Sequence, residues 1–151
     1  MYMFYRRGRI AGAEALGWAV EIAQAASEIS GHQIDLWGTT YSEAFGTVSW
    51  TSWFEDLASL QAFSDTLNES DKYQQMAASG SELIEGGVDD GLMQLLAGAP
   101  DPETDPQFVS GVTAVGASGN LERSVASGIE IAETASRITG LNTLFARAMT
   151  G

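Results

Sequence analysis

Residues 11–31 read AGAEALGWAVEIAQAASEISG, and this stretch decides the fold because a large part of it occurs twice. VEIAQAASEISG at 20–31 is repeated as IEIAETASRITG at 129–140, with seven of the twelve positions identical. Both copies carry apolar or small residues at helical spacing. Both end on a glycine, Gly31 or Gly140, where a left-handed C-cap is expected. We therefore predict two related helices, in a chain that holds one complete and one partial copy of a single unit.

The segments around the first helix predict a complete unit over residues 1–97. Strands are predicted at 2–7, 32–40, 46–53 and 91–97. Ser52 and Glu55 match a capping box and predict a helix from about Trp53, and Ser70 or Asp71 begins a further helix that ends at Gly86–Gly87. The stripe of the first helix that would face the sheet is Leu16, Val20, Ala23 and Ser27, opposite Ile34 and Leu36; in the second copy it is Val125, Ile129, Ala132 and Ser136.

The order β-α-β-β-α-α-β is typical of a ferredoxin-like sandwich, an α+β fold in which helices cover one face of an antiparallel sheet. Residues 98–107, GAPDPETDPQ, hold all three prolines and form a predicted acidic linker. Residues 108–151 then repeat only β-α-β, with strands predicted at 108–117 and 141–149. Half a unit leaves an open sheet edge and an uncovered helix face. We expect a homo-oligomer in which a neighbouring chain completes it, and a disordered C-terminal third is the alternative.

Composition excludes several classes of partner and site. The chain has a formal net charge of −13, which disfavours nucleic acid and membrane surfaces as partners. It has no cysteine, so it has no disulfide and no thiolate metal site, and a cytoplasmic location fits this composition. The basic residues Arg6, Arg7 and Arg9 form a cluster that either binds an anion or pairs with an acidic surface.

Strand alternation predicts the chemistry of the second sheet face, on the side away from the helices. The side chains predicted there are Gln33, Asp35, Trp37, Ser49, Thr51 and Trp53, with Tyr5 or Arg6 from the first strand. Two tryptophans would make a large apolar patch if this face were bare. We therefore expect it to be covered by another sheet.

Residues 4–23, FYRRGRIAGAEALGWAVEIA, include the start of the quoted stretch, and together with residues 71–96, DKYQQMAASGSELIEGGVDDGLMQLL, they resemble a known group. It is similar to the dimeric α+β-barrel superfamily, which includes antibiotic-biosynthesis-monooxygenase-like and NIPSNAP-like domains, and more narrowly to bacterial proteins with two tandem copies of such a domain. The resemblance implies that two sheets pack face to face and close a barrel. It also implies the enzymatic alternative below, because cofactor-free monooxygenases of the superfamily hold polyphenolic substrates that react with oxygen.

The sequence does not decide between two main functions. The first is a non-catalytic or small-molecule-binding homo-oligomer that takes a small aromatic or apolar ligand. The second is a cofactor-independent monooxygenase in which Trp37 and Trp53 stack the substrate and Asp35 takes its proton if burial raises its pKa. A structural subunit of a larger assembly is a third class, and whether the chain is an enzyme is left undecided.

No cofactor or metal site is predicted. The superfamily's haem-degrading members use a histidine on the later helix, where this chain has none, and the lone His32 is expected in a turn. Acids that match no EF-hand pattern are expected to be solvated; they are Asp89, Asp90, Asp101, Glu103 and Asp105. The loop at 116–119, GASG, follows a predicted strand and is expected to be a plain connection rather than a phosphate site.

Overall fold

A computed structural model describes residues 1–41, 46–101, 103–104, 106–117 and 119–150. It contains five strands, four helices and a short 3-10 turn at Ser81–Leu83 within these ranges. In chain order the elements are β1 (Tyr2–Ile10), α1 (Gly12–Ser30), β2 (Asp35–Gly38), β3 (Thr47–Phe54), α2 (Leu57–Asn68), α3 (Asp71–Gly80), β4 (Ile84–Ala97), α4 (Leu121–Thr139) and β5 (Phe145–Thr150).

The strands form one antiparallel sheet in the order β2-β3-β1-β4-β5, which confirms the predicted ferredoxin-like α+β class. Tyr2 of β1 lies opposite Phe54 of β3, and Arg9 lies opposite Thr47. Two compact units are present. Unit 1 comprises residues 1–93 and 148–151, and unit 2 comprises residues 94–147. The predicted domain boundaries and the linker at 98–107 stay predictions.

The core of unit 1 lies between α1 and the sheet. Ala15 and Ala19 are completely buried, and such small side chains let the helix backbone approach the strands. This close approach lets the indole N–H of Trp50, in β3, donate to the Ala19 carbonyl at 3.0 Å. The other members of this cluster, against which α3 also packs, are Ile10, Ile22, Ala23 and Val48. A second cluster joins the end of β3 to α2 and consists of Ala26, Phe54, Phe63 and Leu67.

The predicted face of α1 is partly wrong: Ala23 is buried and Ser27 is half-buried, but the centre of the buried face lies about one residue away from the prediction. The buried positions include Ala15, Ala19 and Ile22, whereas Leu16 and Val20 are exposed. A shift of one residue rotates a helix face by about 100°, since α-helices have 3.6 residues per turn. Helical spacing alone does not fix this angle, because alanines occur all round α1. The predicted partners Ile34 and Leu36 do pack against the buried cluster.

Two predicted boundaries are also wrong. Ser52 caps no helix, because its hydroxyl donates to the Gln33 carbonyl at 2.6 Å within the buried sheet face. The cap of α2 is Asp56, whose carboxylate accepts from the Ser59 backbone N–H at 2.8 Å. At the other end of unit 1, β4 begins at Ile84 rather than at residue 91. The strand runs through Gly86–Gly87, both at positive φ, where the sequence predicts the end of a helix.

Unit 2 contains the repeated helix. Gly31 and Gly140 both adopt the left-handed conformation, and their backbone N–H groups donate to the carbonyls of Ser27 and Ser136. The predicted pair of glycine C-caps is therefore confirmed. The predicted strand at 108–117 is wrong, since these residues form no strand and are exposed. Its apolar pattern is real, but these residues lack the sheet neighbour that a strand needs for its backbone hydrogen bonds.

Candidate functional site

The face of the sheet opposite α1, α2 and α3 carries the candidate site, and we call it the far face. Burial alternates along all eight residues of β3: Val48, Trp50, Ser52 and Phe54 are buried beneath the helices, and the residues between them are half-buried on the far face. Strand pairing then arranges the far face in rows. One row holds Trp37, Ser49 and Arg7, the next holds Asp35, Thr51 and Tyr5, and a third holds Trp53 and Met3.

Thr51 lies at the centre of this arrangement. Its hydroxyl oxygen accepts a hydrogen bond of 3.0 Å from the Trp37 indole N–H, which satisfies the polar atom of that ring. The rings of Trp37 and Trp53 are both half-buried, on either side of Thr51. An indole offers a large flat apolar surface, and the far face therefore combines two such surfaces with hydroxyl and carboxylate groups.

Tyr5 lies on the far face because β4 makes room for it. A Cβ added at Gly91 would stand 2.1 Å from the Tyr5 ring carbon that bears the hydroxyl, so only glycine permits this position of the ring. The Arg7 guanidinium stacks over Tyr5, with 5.0 Å from its central carbon to the ring centroid. Its Nη2 also contacts Asp89 of β4 at 3.4 Å. The sequence does not predict Arg7, Asp89 or Gly91 as parts of the far face, although strand alternation from Tyr5 places Arg7 there.

Arg6 was the alternative to Tyr5 on this face, and the structure excludes it. Arg6 pairs with Trp50 in the register and lies on the helix side. Its Nε and Nη2 donate to the two carboxylate oxygens of Asp90, each at 2.7 Å. This bidentate pair raises the pKa of Arg6 above its usual value. Arg9 likewise contacts Glu85 at 3.2 Å, so the basic cluster pairs with acids of β4 in the same chain.

Asp35 is half-buried at the edge of the far face. One of its carboxylate oxygens accepts from the Gln33 side-chain amide at 2.8 Å. The structure therefore brings together the three predicted site residues Asp35, Trp37 and Trp53 on one face; their roles stay predictions. His32 does lie in the turn after α1, and its ring packs against Phe54 and Phe63 at centroid distances of 4.9 and 5.7 Å.

The remaining candidate sites gain no support from the described ranges. There, no three acidic or histidine side chains come close enough to hold a metal ion. Asp89 and Asp90 pair with arginines, while Asp105 and the loop residue Ser118 lie outside the described residues. None of the helices found in the described part of the chain has the length and apolar composition that a membrane crossing needs.

No model of a protein family matches the sequence, and no curated protein is similar to it. Solved structures share its fold. A NIPSNAP family protein from Agrobacterium tumefaciens is 22% identical, with a TM-score of 0.52 over 60% of this chain and 82% of its own. A NIPSNAP domain protein and a NIPSNAP-like domain protein from Burkholderia xenovorans are 17% and 14% identical, with TM-scores of 0.54 and 0.51. They cover 67% and 70% of this chain, and 100% and 89% of their own. The chain therefore has the α+β fold of these NIPSNAP structures, as the resemblance in its sequence predicts.

Proposed function

We propose that this chain is a small-molecule-binding protein whose far face, covered by a second sheet, holds a small aromatic or apolar ligand. The observation that carries the proposal is the pair of half-buried tryptophans, Trp37 and Trp53, on either side of Thr51. All three helices of unit 1 pack on the other face, so these two rings receive no cover from them.

The chemistry of the far face supports an aromatic ligand rather than a purely apolar one. Trp37 and Trp53 supply flat surfaces for stacking, and Tyr5 and Thr51 supply hydroxyl groups that orient a polar substituent. Arg7 already contacts Tyr5 and Asp89. Its guanidinium therefore holds these side chains in place rather than offering an unpaired positive charge to a ligand. The second sheet in this proposal comes from another copy of the chain, as the resemblance to dimeric α+β barrels implies.

Calorimetric titration with 1-naphthol, a small phenolic probe, tests this function. We expect saturable binding that weakens at least about tenfold in Trp37→Leu and in Trp53→Leu, because each change removes a stacking surface worth about 1.4 kcal/mol or more. Leu57→Ala, on the exposed part of α2, is the matched control and should bind like the unchanged protein. Equal binding by all four proteins would contradict the proposal, and no binding by any would indicate a dry, structural interface.

The second candidate function is a cofactor-independent monooxygenase, and the position of Asp35 favours it. Asp35 lies directly across from Thr51, in the row next to Trp37, so a stacked phenol would have a carboxylate beside it. The carboxylate would take the phenol proton. Oxygen would then place one atom on the ring as a ketone, while the other atom left as water. Oxygen uptake with 1-naphthol should then fall strongly in Asp35→Asn, whereas absence of uptake in the unchanged protein would exclude this candidate.

A further inference from the structure

A groove of 370 Å³ lies on the helix side of unit 1, at the edge of the sheet. Its lining is mainly apolar, and it is open to solvent along β2, the last strand on that side. We call it the edge groove. The residues that line it are Val20, Ala23, Gln24, Ser27, Glu28, Ile34 and Leu36.

The groove exists because α1 overhangs the sheet. Leu16 and Val20 belong to the stripe of α1 that the sequence predicts to face a sheet, but their side chains are 48% and 40% exposed. The equivalent residues of the repeat, Val125 and Ile129 on α4, are half-buried. The same stripe is thus half-buried in one copy and exposed in the other, which indicates that the first copy has room for one more element beside β2.

The repeat also indicates what kind of element this is. An offset of 109 residues places the equivalent of β2 at 144–147, and β5 begins there, at Phe145. β5 has β4 as its neighbour in the sheet. β2 and its equivalent β5 are thus the two outer strands of one sheet. The outer edge of such a strand is a template for pairing with one more strand, and the element that suits the edge groove is therefore a strand.

The outer edge of β2 has the hydrogen-bonding groups for such a strand. The Thr39 N–H donates to the Thr47 carbonyl of β3, so odd-numbered residues of this segment face β3. By the alternation of antiparallel ladders, the backbone groups of Leu36 and Gly38 point away from β3. No described strand lies beyond them. An added strand would pair with these groups and place its side chains under α1.

Residues 108–117, FVSGVTAVGA, have the composition of that strand. Phe108, Val109, Val112 and Val115 are between 67% and 94% exposed, which leaves a β-branched, apolar segment in water. The segment also contains no charged residue, unlike most of a chain whose net charge is −13. It can approach the acidic surface of another chain with little electrostatic repulsion. At the groove itself, Glu28 is already paired with Lys72 at 3.5 Å.

We propose that residues 108–117 of one chain add as a strand to the outer edge of β2 in a second copy of this chain, beneath the overhanging stripe of α1. The backbone groups of Leu36 and Gly38 gain partners, and apolar side chains of the added strand fill the edge groove beside Val20. Both surfaces are present in every copy, so the exchange is reciprocal in a dimer. The edge groove and the far face lie on opposite sides of the sheet, and this inference does not require the proposed ligand.

Sedimentation equilibrium of the whole chain over a wide concentration range tests the proposal. We expect Val112→Pro to weaken self-association at least about tenfold, because proline removes a backbone donor from the added strand. The Val112 side chain is 94% exposed, so the fold of the single chain should be unaffected. Val112→Thr keeps both the donor and the β-branched shape and is the matched control, which should associate like the unchanged chain.

The other side of the contact has its own pair of variants. Val20→Glu should also weaken association at least about tenfold, because it places a charge in the edge groove. Ala13→Glu adds the same charge to the exposed start of α1 and should have little effect. Hydrogen exchange supplies a local readout: the amides of Leu36 and Gly38 should become protected as concentration rises, and this protection should be lost in Val112→Pro.

These outcomes separate the contact from the far face. Trp37→Leu and Trp53→Leu can abolish 1-naphthol binding without changing the exchange of the Leu36 and Gly38 amides, and Val112→Pro can change that exchange without changing 1-naphthol binding. A chain that stays monomeric at all concentrations would overturn the inference. So would association that is as strong in Val112→Pro and in Val20→Glu as in the unchanged chain, or β2 amides whose exchange does not depend on concentration.

Discussion

Gly80, at the end of α3, is required for space rather than for an unusual backbone conformation. A Cβ added there would lie 1.8 Å from the Trp18 ring, whose indole N–H donates to the Met76 carbonyl at 2.9 Å. Gly80→Ala should therefore displace the ring, disturb its edge contact with Trp50 and lower the free energy of unfolding by about 1–3 kcal/mol. Gly17→Ala, where an added Cβ meets nothing within 4 Å, should raise it by about 0.5–1 kcal/mol. Urea unfolding followed by circular dichroism measures both, and equal effects would contradict this account.

Asp56 gives the start of α2 a dependence on pH. The Ser59 hydroxyl and then the Ser59 backbone N–H, both donating to its carboxylate, lower the pKa of Asp56 in the folded chain. A lowered pKa stabilises the fold above the ordinary value of about 4, and this contribution is lost as the pH falls through the folded value. Asp56→Asn keeps a capping group that does not titrate.

Thermal unfolding between about pH 2 and 6 should separate two variants of this cap. Asp56→Asn should show a smaller decrease of Tm on acidification than the unchanged chain, since one titrating group has been removed. Asp56→Ala should have a lower Tm even at pH 6, because it lacks the cap altogether. Identical pH profiles for the unchanged chain and Asp56→Asn would show that the titration of Asp56 makes no measurable contribution.

Single residues of the far face were predictable wherever strand alternation applies. Trp37, Thr51 and Trp53 fall on one face by simple parity, and the register confirms that placement. Deciding whether Tyr5 or Arg6 lies on the far face requires the register between β1 and β3. That register depends on pairing between residues far apart in the sequence. Gly91, which makes room for the Tyr5 ring, belongs to a strand more than 80 residues away, and nothing in the local sequence marks that role.

At the scale of elements, the two repeated helices provide an internal control. Ile22 of α1 is 8% exposed and packs in the cluster that α3 covers, whereas its equivalent on α4, Ile131, is 69% exposed. Ile22→Ala should therefore lower the free energy of unfolding by about 2–4 kcal/mol. Ile131→Ala should change it by less than about 0.5 kcal/mol. Chemical denaturation of the two variants is the measurement, and a large loss in Ile131→Ala would show that α4 has a partner on this face.

The same helices show what periodicity can and cannot predict. Their positions and glycine caps follow from the repeat, since both depend on local spacing. The face that α1 buries does not follow from the repeat. Alanines occur all round α1, and the packing of α3 selects the side that carries Ile22. Residues 108–117 show the converse, since a strong strand pattern forms no strand without a neighbouring strand. The prediction of Ser52 as a helix cap is wrong for a related reason. Its hydroxyl donates a hydrogen bond to the Gln33 carbonyl, just before the neighbouring strand β2.

At the scale of the whole molecule, charge opposes the association that both proposals require. Two chains of net charge −13 repel each other, and this repulsion acts over about 10 Å at 0.1 M salt and about 3 Å at 1 M. The arginines of β1 lessen the repulsion little, because they already pair with Asp90, Asp89 and Glu85 of the same chain. What remains to hold two copies together is apolar and backbone contact.

Self-association should therefore strengthen as salt is added. We expect the dimer dissociation constant to fall several-fold between 50 mM and 500 mM NaCl, because screening removes repulsion while strand addition and apolar burial depend only weakly on salt. Sedimentation equilibrium at several salt concentrations measures this, with sucrose solutions of matched density as a control for solution density. A dissociation constant that rises with salt would mean that ion pairs between chains hold the dimer. The arginines of β1 would then have to exchange their present partners for acids of the other copy, and the neutral strand at 108–117 would not be the main contact.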